Sequence, residues 1–143
     1  MIIDNIFYNI ENPLGNRTAI PKQAGLYLVG NVVFNPITEE TFYLIKIGMS
    51  TNLYNRMKDY STSNPMMFHI DYKIIEDDED YGNIAKYKRT ALVGKKVKSV
   101  EEQYHRAMER LHFTHFEYAQ EWFIVSKEVY FEICTKKFDF FTI

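Results

Sequence analysis

The chain has 143 residues, of which 46% are hydrophobic and 25% are charged, so one domain with a packed core is expected. A net charge of −2 argues against a protein that coats DNA nonspecifically, although an enzyme needs only a locally positive groove. The single cysteine, Cys134, excludes a disulfide framework or a CxxC zinc site within one chain and fits a reduced, cytoplasmic compartment.

The N-terminal region contains several Asn, Pro and Gly residues. Residues 1–21 contain several turn-forming dipeptides and predict an N-terminal arm that packs onto the rest of the chain. We expect one domain to occupy residues 22–143. No apolar run approaches the roughly 18 residues of a membrane span, and the start lacks the basic residues of a signal peptide, so neither is expected.

The next two segments predict a β-hairpin. Residues 25–33 (GLYLVGNVV) are dense in β-forming side chains. The Asn35-Pro36 dipeptide and the polar residues up to Glu40 predict a turn. Residues 41–47 (TFYLIKI) predict a second strand, which Gly48 is expected to end.

A helix and a third strand follow. Ser50 or Thr51 can cap a helix that runs to about Tyr60. Alternating apolar residues within residues 66–75 predict the third strand.

Two charged runs come next. The acidic run at residues 76–80 (EDDED) is typical of a solvated loop. The basic residues between positions 86 and 98 either balance these acids or line a phosphate backbone, in which case Lys95 and Lys96 are candidate substrate contacts.

The last third of the chain completes an α+β fold. Ser99 and Glu102 form a capping-box pattern, which predicts that a helix begins there. Residues 122–125 predict a short strand or a core-facing extension, and Ser126 can cap a final helix over residues 127–136. We therefore predict a small, mainly antiparallel sheet of about three strands, flanked by helices.

Four short motifs stand in an order that suits phosphodiester hydrolysis. They are Gly25-Leu26-Tyr27, Lys46-Ile47-Gly48, Arg56 with Tyr60, and Glu101. The reaction needs a base for the attacking water, positive charge at the phosphate oxygens and a metal ion. A phenol beside a cation, a guanidinium and a carboxylate can meet these needs. Taken alone, Tyr27 fits a core aromatic and Arg56 with Tyr60 fits a solvated helix face, whereas Glu101 fits a metal ligand and a first-turn carboxylate about equally. Lys46 fits a structural role less well, because lysine is rarely buried without a partner, so the hypothesis depends on the convergence of these residues.

These motifs resemble the GIY-YIG nuclease superfamily. The GLY and KIG triplets stand where the family has GIY and YIG, and SVEEQYH at residues 99–105 is similar to its metal-binding helix. Thr62-Ser63-Asn64-Pro65 and Glu121-Trp122-Phe123 are similar to segments of a phage- and virus-rich branch. The resemblance covers about residues 22–133.

The resemblance implies a role for each motif residue. Tyr27 would be the general base or would orient the water, and Lys46 would hold Tyr27 near its anionic form or contact the phosphate. Arg56 would clamp the scissile phosphate, and Tyr60 would help to bind the phosphate or the nucleophile. Glu101 would ligate one divalent ion.

Two further points concern the helix that carries Glu101. His105, one turn beyond Glu101, would support the metal ligand or face the substrate. Glu102 is an alternative metal ligand, but the capping-box pattern and the spacing to His105 favour Glu101. Lys46 departs from the family pattern, because a tyrosine stands there in the name-giving motif.

The implied function is an Mg²⁺- or Mn²⁺-dependent endonuclease that hydrolyses DNA, in a cytoplasm that would be the host's if the gene is viral. The expected partner is DNA, with a second copy of the chain as a further candidate and no membrane. One alternative is a catalytically weak or inactive module that binds DNA without cutting it. Another is a viral accessory protein that contacts a host defence protein.

Overall fold

A computed structural model describes residues 20–64, 67–75, 86–117 and 119–141. Within these ranges the chain forms one antiparallel sheet of five strands in the order β3-β1-β2-β5-β4. The predicted α+β class and the antiparallel sheet are confirmed, whereas the predicted count of about three strands is too low. The predicted N-terminal arm lies outside the described residues apart from its last two positions, and so does the acidic run.

The centre of the sheet is the predicted hairpin. Strand β1 (Gly25–Asn35) pairs with β2 (Glu40–Ser50) over its whole length. The side chain of Asn35 accepts hydrogen bonds from the backbone of Ile37 and Thr38, and Glu39 adopts a left-handed φ of 59°. This local polar bonding explains why the turn forms where the sequence predicts it.

Strand β2 continues through Gly48, so the prediction that this glycine ends the strand is wrong. In the register of the hairpin, Tyr27 lies opposite Gly48 and Val29 lies opposite Lys46. Opposed residues of antiparallel strands point to the same face of the sheet. The register therefore places Tyr27, Lys46 and the bare backbone of Gly48 together.

Helix α1 (Leu53–Ser63) follows β2 directly. Its N-cap is Asn52, not the predicted Ser50 or Thr51, and the Asn52 side chain accepts a hydrogen bond from the Asn55 backbone. Ser50 instead braces the turn through hydrogen bonds with the backbone of Asn52. The helix also ends at Ser63, three residues beyond its predicted end near Tyr60.

Strand β3 (Phe68–Ile74) pairs with the outer edge of β1, as the alternation of apolar residues predicts. A bulge between Leu28 and Val29 shifts the register, so that Tyr72 lies opposite Tyr27. Gly25 allows close approach of the two strands, because a Cβ there would overlap the Lys73 carbonyl.

Helix α2 (Lys86–Arg110) is much longer than predicted. The basic segment belongs to its first half, and Ser99 with Glu102 lies in the helix interior, so the predicted capping box is wrong. The sequence favours Glu101 over Glu102 as the metal ligand for two reasons, the capping box and the spacing to His105. Only the spacing to His105 remains. A run of lysines resembles a solvated loop as much as the exposed side of a helix, which explains the error.

The C-terminal segment adds two strands and a helix. Strands β4 (Thr114–Phe116) and β5 (Ala119–Val125) pair with each other, and β5 pairs with β2 at residues 43–45. Helix α3 (Lys127–Lys136) has the predicted limits and the predicted cap, with the Ser126 hydroxyl accepting from the Val129 backbone. A 3₁₀ helix (Lys137–Phe141) follows.

The core has two layers, one on each face of the sheet. On one face, α2, α3 and the 3₁₀ helix cover a cluster that includes Leu28, Ile45 and Met108. On the other face, α1 buries Leu53 and Met57 against a smaller cluster that contains Tyr27. No helix in the described ranges is long and apolar enough to cross a membrane.

Candidate active site

A pocket of about 310 Å³ lies beside the second half of β2. It forms because β5 pairs with β2 only as far as Ile45, so the following residues of β2 pair with β1 on one side and have no strand neighbour on the other side in the part of the chain described. Side chains from both faces of the sheet meet at this open edge. The pocket is lined by Tyr27, Lys46, Ile47, Gly48, Met49, Arg56, Glu101, His105, Glu109, His115, Glu121 and Phe123.

Tyr27 forms the inner wall of the pocket. Its side chain is only 3% exposed, and its ring lies flat against Gly48, where a Cβ would overlap both the hydroxyl and the ring. Burial raises the pKa of the Tyr27 phenol above its ordinary value, and the hydrogen bond and charge of Tyr60 add to this shift. Arg56 opposes the shift and Glu101 increases it.

Two phenols and an ammonium form a chain of hydrogen bonds. The Tyr27 and Tyr60 hydroxyl oxygens are 3.0 Å apart, and Lys46 Nζ donates to the Tyr60 hydroxyl at 2.7 Å. The two tyrosine rings meet edge to face with centroids 5.5 Å apart. The ammonium of Lys46 also lies 5.3 Å from the centre of the Tyr60 ring, within the range of a cation–π contact.

Lys46 has a second partner on β5. Its ammonium is 3.5 Å from Oε1 of Glu121, and the side chains are 13% and 66% exposed, respectively. An exposed partner of this kind contributes little to stability. The contact with Glu121 places the Lys46 ammonium between the Tyr60 phenol and the Glu121 carboxylate.

Arg56 approaches the pocket from α1, one turn before Tyr60. Arg56 is exposed, so its guanidinium can bind an anion from solvent without a rearrangement of the core. A guanidinium offers paired donors that match two oxygens of a phosphate.

Glu101 and His105 approach from α2, on the opposite face of the sheet. Glu101 is partly buried, and His105 Nε2–H donates to the Ile47 carbonyl at 3.0 Å. This hydrogen bond occupies a backbone acceptor of β2 beyond the end of its pairing with β5. It therefore fixes α2 against the open edge and holds Glu101 over the pocket.

The fixed charges of the pocket leave it acidic. Lys46 and Arg56 supply two positive charges, whereas Glu101, Glu109 and Glu121 supply three negative charges. A phosphate entering this pocket meets net repulsion unless a cation compensates it.

The described residues of the pocket do not form a metal site with several protein ligands. Within the described residues no group of three or more His, Cys, Asp or Glu side chains is arranged to hold a metal ion. A zinc site of the usual three or four protein ligands is therefore not built from them. Mg²⁺ commonly binds through one or two carboxylates, with water and substrate oxygens completing its shell, and Glu101 can supply such a carboxylate.

The pocket brings together four of the residues that the motifs single out. Tyr27, Lys46, Arg56 and Glu101 all line it, and Tyr60 contacts it through Tyr27 and Lys46. His105, proposed from its spacing to Glu101, also lines the pocket.

Other predicted contacts lie elsewhere. Lys95 and Lys96 are more than a turn before Glu101 on α2 and are outside the pocket lining; Lys95 is exposed and Lys96 partly buried. Glu102, the alternative ligand, is exposed and also outside the lining. Cys134 packs against the core near Tyr130, and burial raises the pKa of its thiol to about 12, which suits an inert side chain.

Sequence analysis missed Glu109 and His115 as lining residues. Glu109 follows Glu101 and His105 at four-residue spacing, so helical periodicity could have found it. His115 comes from the three-residue strand β4, for which the sequence gives no comparable signal. It stacks near Phe123, with ring centroids 4.3 Å apart.

Comparison with known proteins identifies the family. Residues 26–137 match the model of the T5orf172 domain, so the chain belongs to this phage-associated domain family, which is related to nuclease-like folds. The match includes all five motif residues of the candidate site. No curated protein and no solved structure matches the chain.

Proposed function

We propose that the protein is a metal-dependent endonuclease that hydrolyses phosphodiester bonds of DNA by a GIY-YIG-type mechanism. The observation that carries the proposal is the convergence of Tyr27, Lys46, Arg56 and Glu101 in one pocket. These residues come from two strands and two helices, across seventy-five positions of sequence. Packing alone gives no reason for such a mixture of a phenol, two cations and a carboxylate.

Arg56 clamps the scissile phosphate, where its forked donors stabilise the charge that builds up during attack. Glu101 holds a single Mg²⁺ or Mn²⁺ ion, and such an ion, when bound, polarises the phosphate and steadies the leaving oxygen. A phenol of the tyrosine pair takes the proton of the attacking water, and the family resemblance gives this role to Tyr27. Lys46 supplies positive charge beside the phenols.

The location of the site supports hydrolysis over simple binding. Tyr27 is buried while Arg56 is exposed. The proposed base is therefore shielded from solvent, and the proposed phosphate clamp is accessible to DNA. His105 and His115 line the same pocket and can contact the substrate. One such site per chain makes a single-strand nick the elementary event, and a double-strand break requires a second chain or a second visit.

The proposal is tested with supercoiled plasmid DNA, with and without Mg²⁺ or Mn²⁺. We expect nicking by the parent protein only with the metal ion. Arg56→Ala is expected to lower the rate by about 10²- to 10³-fold, because it removes a donor to the transition-state charge. Arg106→Ala is the matched control, since Arg106 is exposed on α2 and lies outside the pocket.

Two results would contradict the proposal. One is a parent protein that shifts DNA in a gel without forming products at any metal concentration, which would favour a binding module. The other is equal nicking by the Arg56 and Arg106 variants, which would place the chemistry elsewhere.

A further inference from the structure

Tyr60 occupies a distinctive place relative to the pocket. Tyr27 and Lys46 line the pocket, but Tyr60 lies outside the lining and is connected to it only through these two residues. Its hydroxyl stands between the Tyr27 hydroxyl and the Lys46 ammonium, at 3.0 and 2.7 Å. A group in this position contacts both the proposed base and the cation directly.

We propose that Tyr60 is a positioning residue that links the ammonium of Lys46 to the hydroxyl of Tyr27, and that this link enables Tyr27 to act as the base. The inference rests on the proposed nuclease function, which it deepens. It assigns Lys46 an action on the base through Tyr60, in preference to direct contact with the phosphate.

The direction of the hydrogen bonds follows from the chemistry of the partners. An ammonium has three donors and no acceptor, so the Tyr60 oxygen must accept from Lys46. Because Lys46 occupies one acceptor site of the Tyr60 oxygen, we assign Tyr60 as the donor in its 3.0 Å contact with the Tyr27 oxygen, a contact that fits a hydrogen bond of either direction. A hydroxyl that accepts from a cation donates more strongly, so the Tyr27 oxygen receives a strengthened hydrogen bond.

This link addresses a conflict in the site. Burial opposes an anionic Tyr27, and so does the Tyr60 hydrogen bond when Tyr27 is its donor, yet a base needs the oxygen of Tyr27 in its anionic form when the water attacks. A hydrogen bond donated by Tyr60 to the Tyr27 oxygen has the reverse effect and favours the anionic form. Arg56 favours the anionic form as well and Glu101 opposes it, and the link adds the positive charge of Lys46 on the same side as Arg56.

The proton balance is simple. The water oxygen forms a bond to phosphorus while one water proton passes to the anionic Tyr27 oxygen. The bond from phosphorus to the leaving oxygen breaks, and that oxygen keeps the electron pair and takes a proton from solvent. Tyr27 later releases its proton to solvent. Tyr60 keeps its own proton throughout, as a donor to Tyr27.

The test compares Tyr60→Phe with Tyr43→Phe in the plasmid assay. The Phe ring at position 60 keeps the edge-to-face contact with Tyr27 and removes only the hydroxyl. Tyr43 is a matched control, because its buried hydroxyl has no hydrogen-bond partner among the described residues and it lies in the other core cluster. We expect Tyr60→Phe to lower kcat by about 10²-fold with KM unchanged, and Tyr43→Phe to cut like the parent.

The pH profile and a double-mutant cycle separate a link from a merely structural role. Loss of the link should move the acidic limb of the kcat profile to higher pH by about one unit. Lys46→Met in the parent protein should move the acidic limb of the kcat profile to higher pH by the same amount. Because Lys46 acts through Tyr60, adding Lys46→Met to Tyr60→Phe should cause little further loss.

Two outcomes would overturn the inference: additive losses in the double mutant, or a fall in kcat with an unmoved pH profile. If the parent does not cut DNA at all, the nuclease proposal fails but the link remains testable without DNA. The tyrosinate absorbance of Tyr27, obtained as the difference between each protein and its Tyr27→Phe derivative, should then appear at higher pH in Lys46→Met than in the parent. No such difference is expected between Tyr60→Phe and its Lys46→Met derivative, and a difference there would contradict the link.

Discussion

Gly48→Ala adds one methyl group to the inner wall of the pocket. The added Cβ would overlap the Tyr27 hydroxyl and ring, so the tyrosine must retreat by roughly 1 Å or more to regain ordinary contact. Tyr27 is 3% exposed and the Tyr60 ring stands beside it, so the space open to the displaced phenol is the pocket itself. Overpacking of this kind costs about 1–3 kcal/mol of unfolding free energy.

The same displacement should damage catalysis more than stability. A misplacement of about 1 Å can cost about 10²-fold in rate, because the base loses its alignment with the attacking water. The hydroxyl would also move relative to Tyr60, from which it is 3.0 Å. We therefore expect Gly48→Ala to remain folded at room temperature and to nick plasmid DNA about 10²-fold more slowly.

Gly94→Ala is the matched control. Gly94 lies in the interior of α2, and nothing stands within 4 Å of a Cβ added there. Alanine in a helix interior should stabilise the fold by about 0.5–1 kcal/mol relative to glycine, with no change in cleavage. Urea unfolding and plasmid nicking of both variants provide the measurement. A Gly48→Ala protein as stable and as active as the Gly94→Ala protein would refute the reasoning.

Three further predictions concern stability, ligand binding and capping. Burial, with a smaller contribution from the charge of Lys137, lowers the pKa of His69 to about 4. As the pH falls, the unfolded chain therefore takes up a proton at this residue before the folded chain does. The free energy of unfolding should fall by about 3 kcal/mol between about pH 6.5 and pH 4. His69→Gln should lose this part of the pH dependence in urea titrations, and an unchanged slope would contradict the assignment. Removing divalent ions with EDTA should weaken DNA binding at low salt by about tenfold or more, because the carboxylates of the pocket outnumber its cations. Fluorescence anisotropy measures the affinity, and an unchanged affinity would contradict this prediction. Ser126→Ala should cost about 1 kcal/mol through loss of the α3 cap while nicking stays normal.

The sequence predicts the elements whose limits are set by local chemistry. The hairpin has β-forming runs around an Asn-Pro turn and forms as predicted, although β2 continues past Gly48 to Ser50. Helix α3 has a serine cap and the predicted limits. Helix α2 does not have its predicted limits, because its polar first half lacks an apolar stripe strong enough to distinguish it from a solvated loop. Strand β4 has three residues, which are too few for an alternation to be visible.

The order of the motifs predicts residues that the structure brings together in one pocket, but not how that pocket opens. The pocket exists because β5 stops pairing at Ile45 and His105 bonds to the exposed edge of β2. Both facts depend on long-range pairing that one sequence does not encode in a local pattern. The depth of Tyr27 and the hydrogen bond between Lys46 and Tyr60 depend on the same packing.

The most direct test of the account is the rate of plasmid nicking at saturating Mg²⁺ by two neighbouring variants, Glu101→Gln and Glu102→Gln. Only Glu101 lines the pocket with the phenol and the guanidinium, whereas Glu102 is exposed outside it. We predict that Glu101→Gln falls to the rate of the metal-free protein and that Glu102→Gln stays within about twofold of the parent. Parent-like cleavage by Glu101→Gln, or loss of cleavage in Glu102→Gln alone, would contradict the proposed metal site.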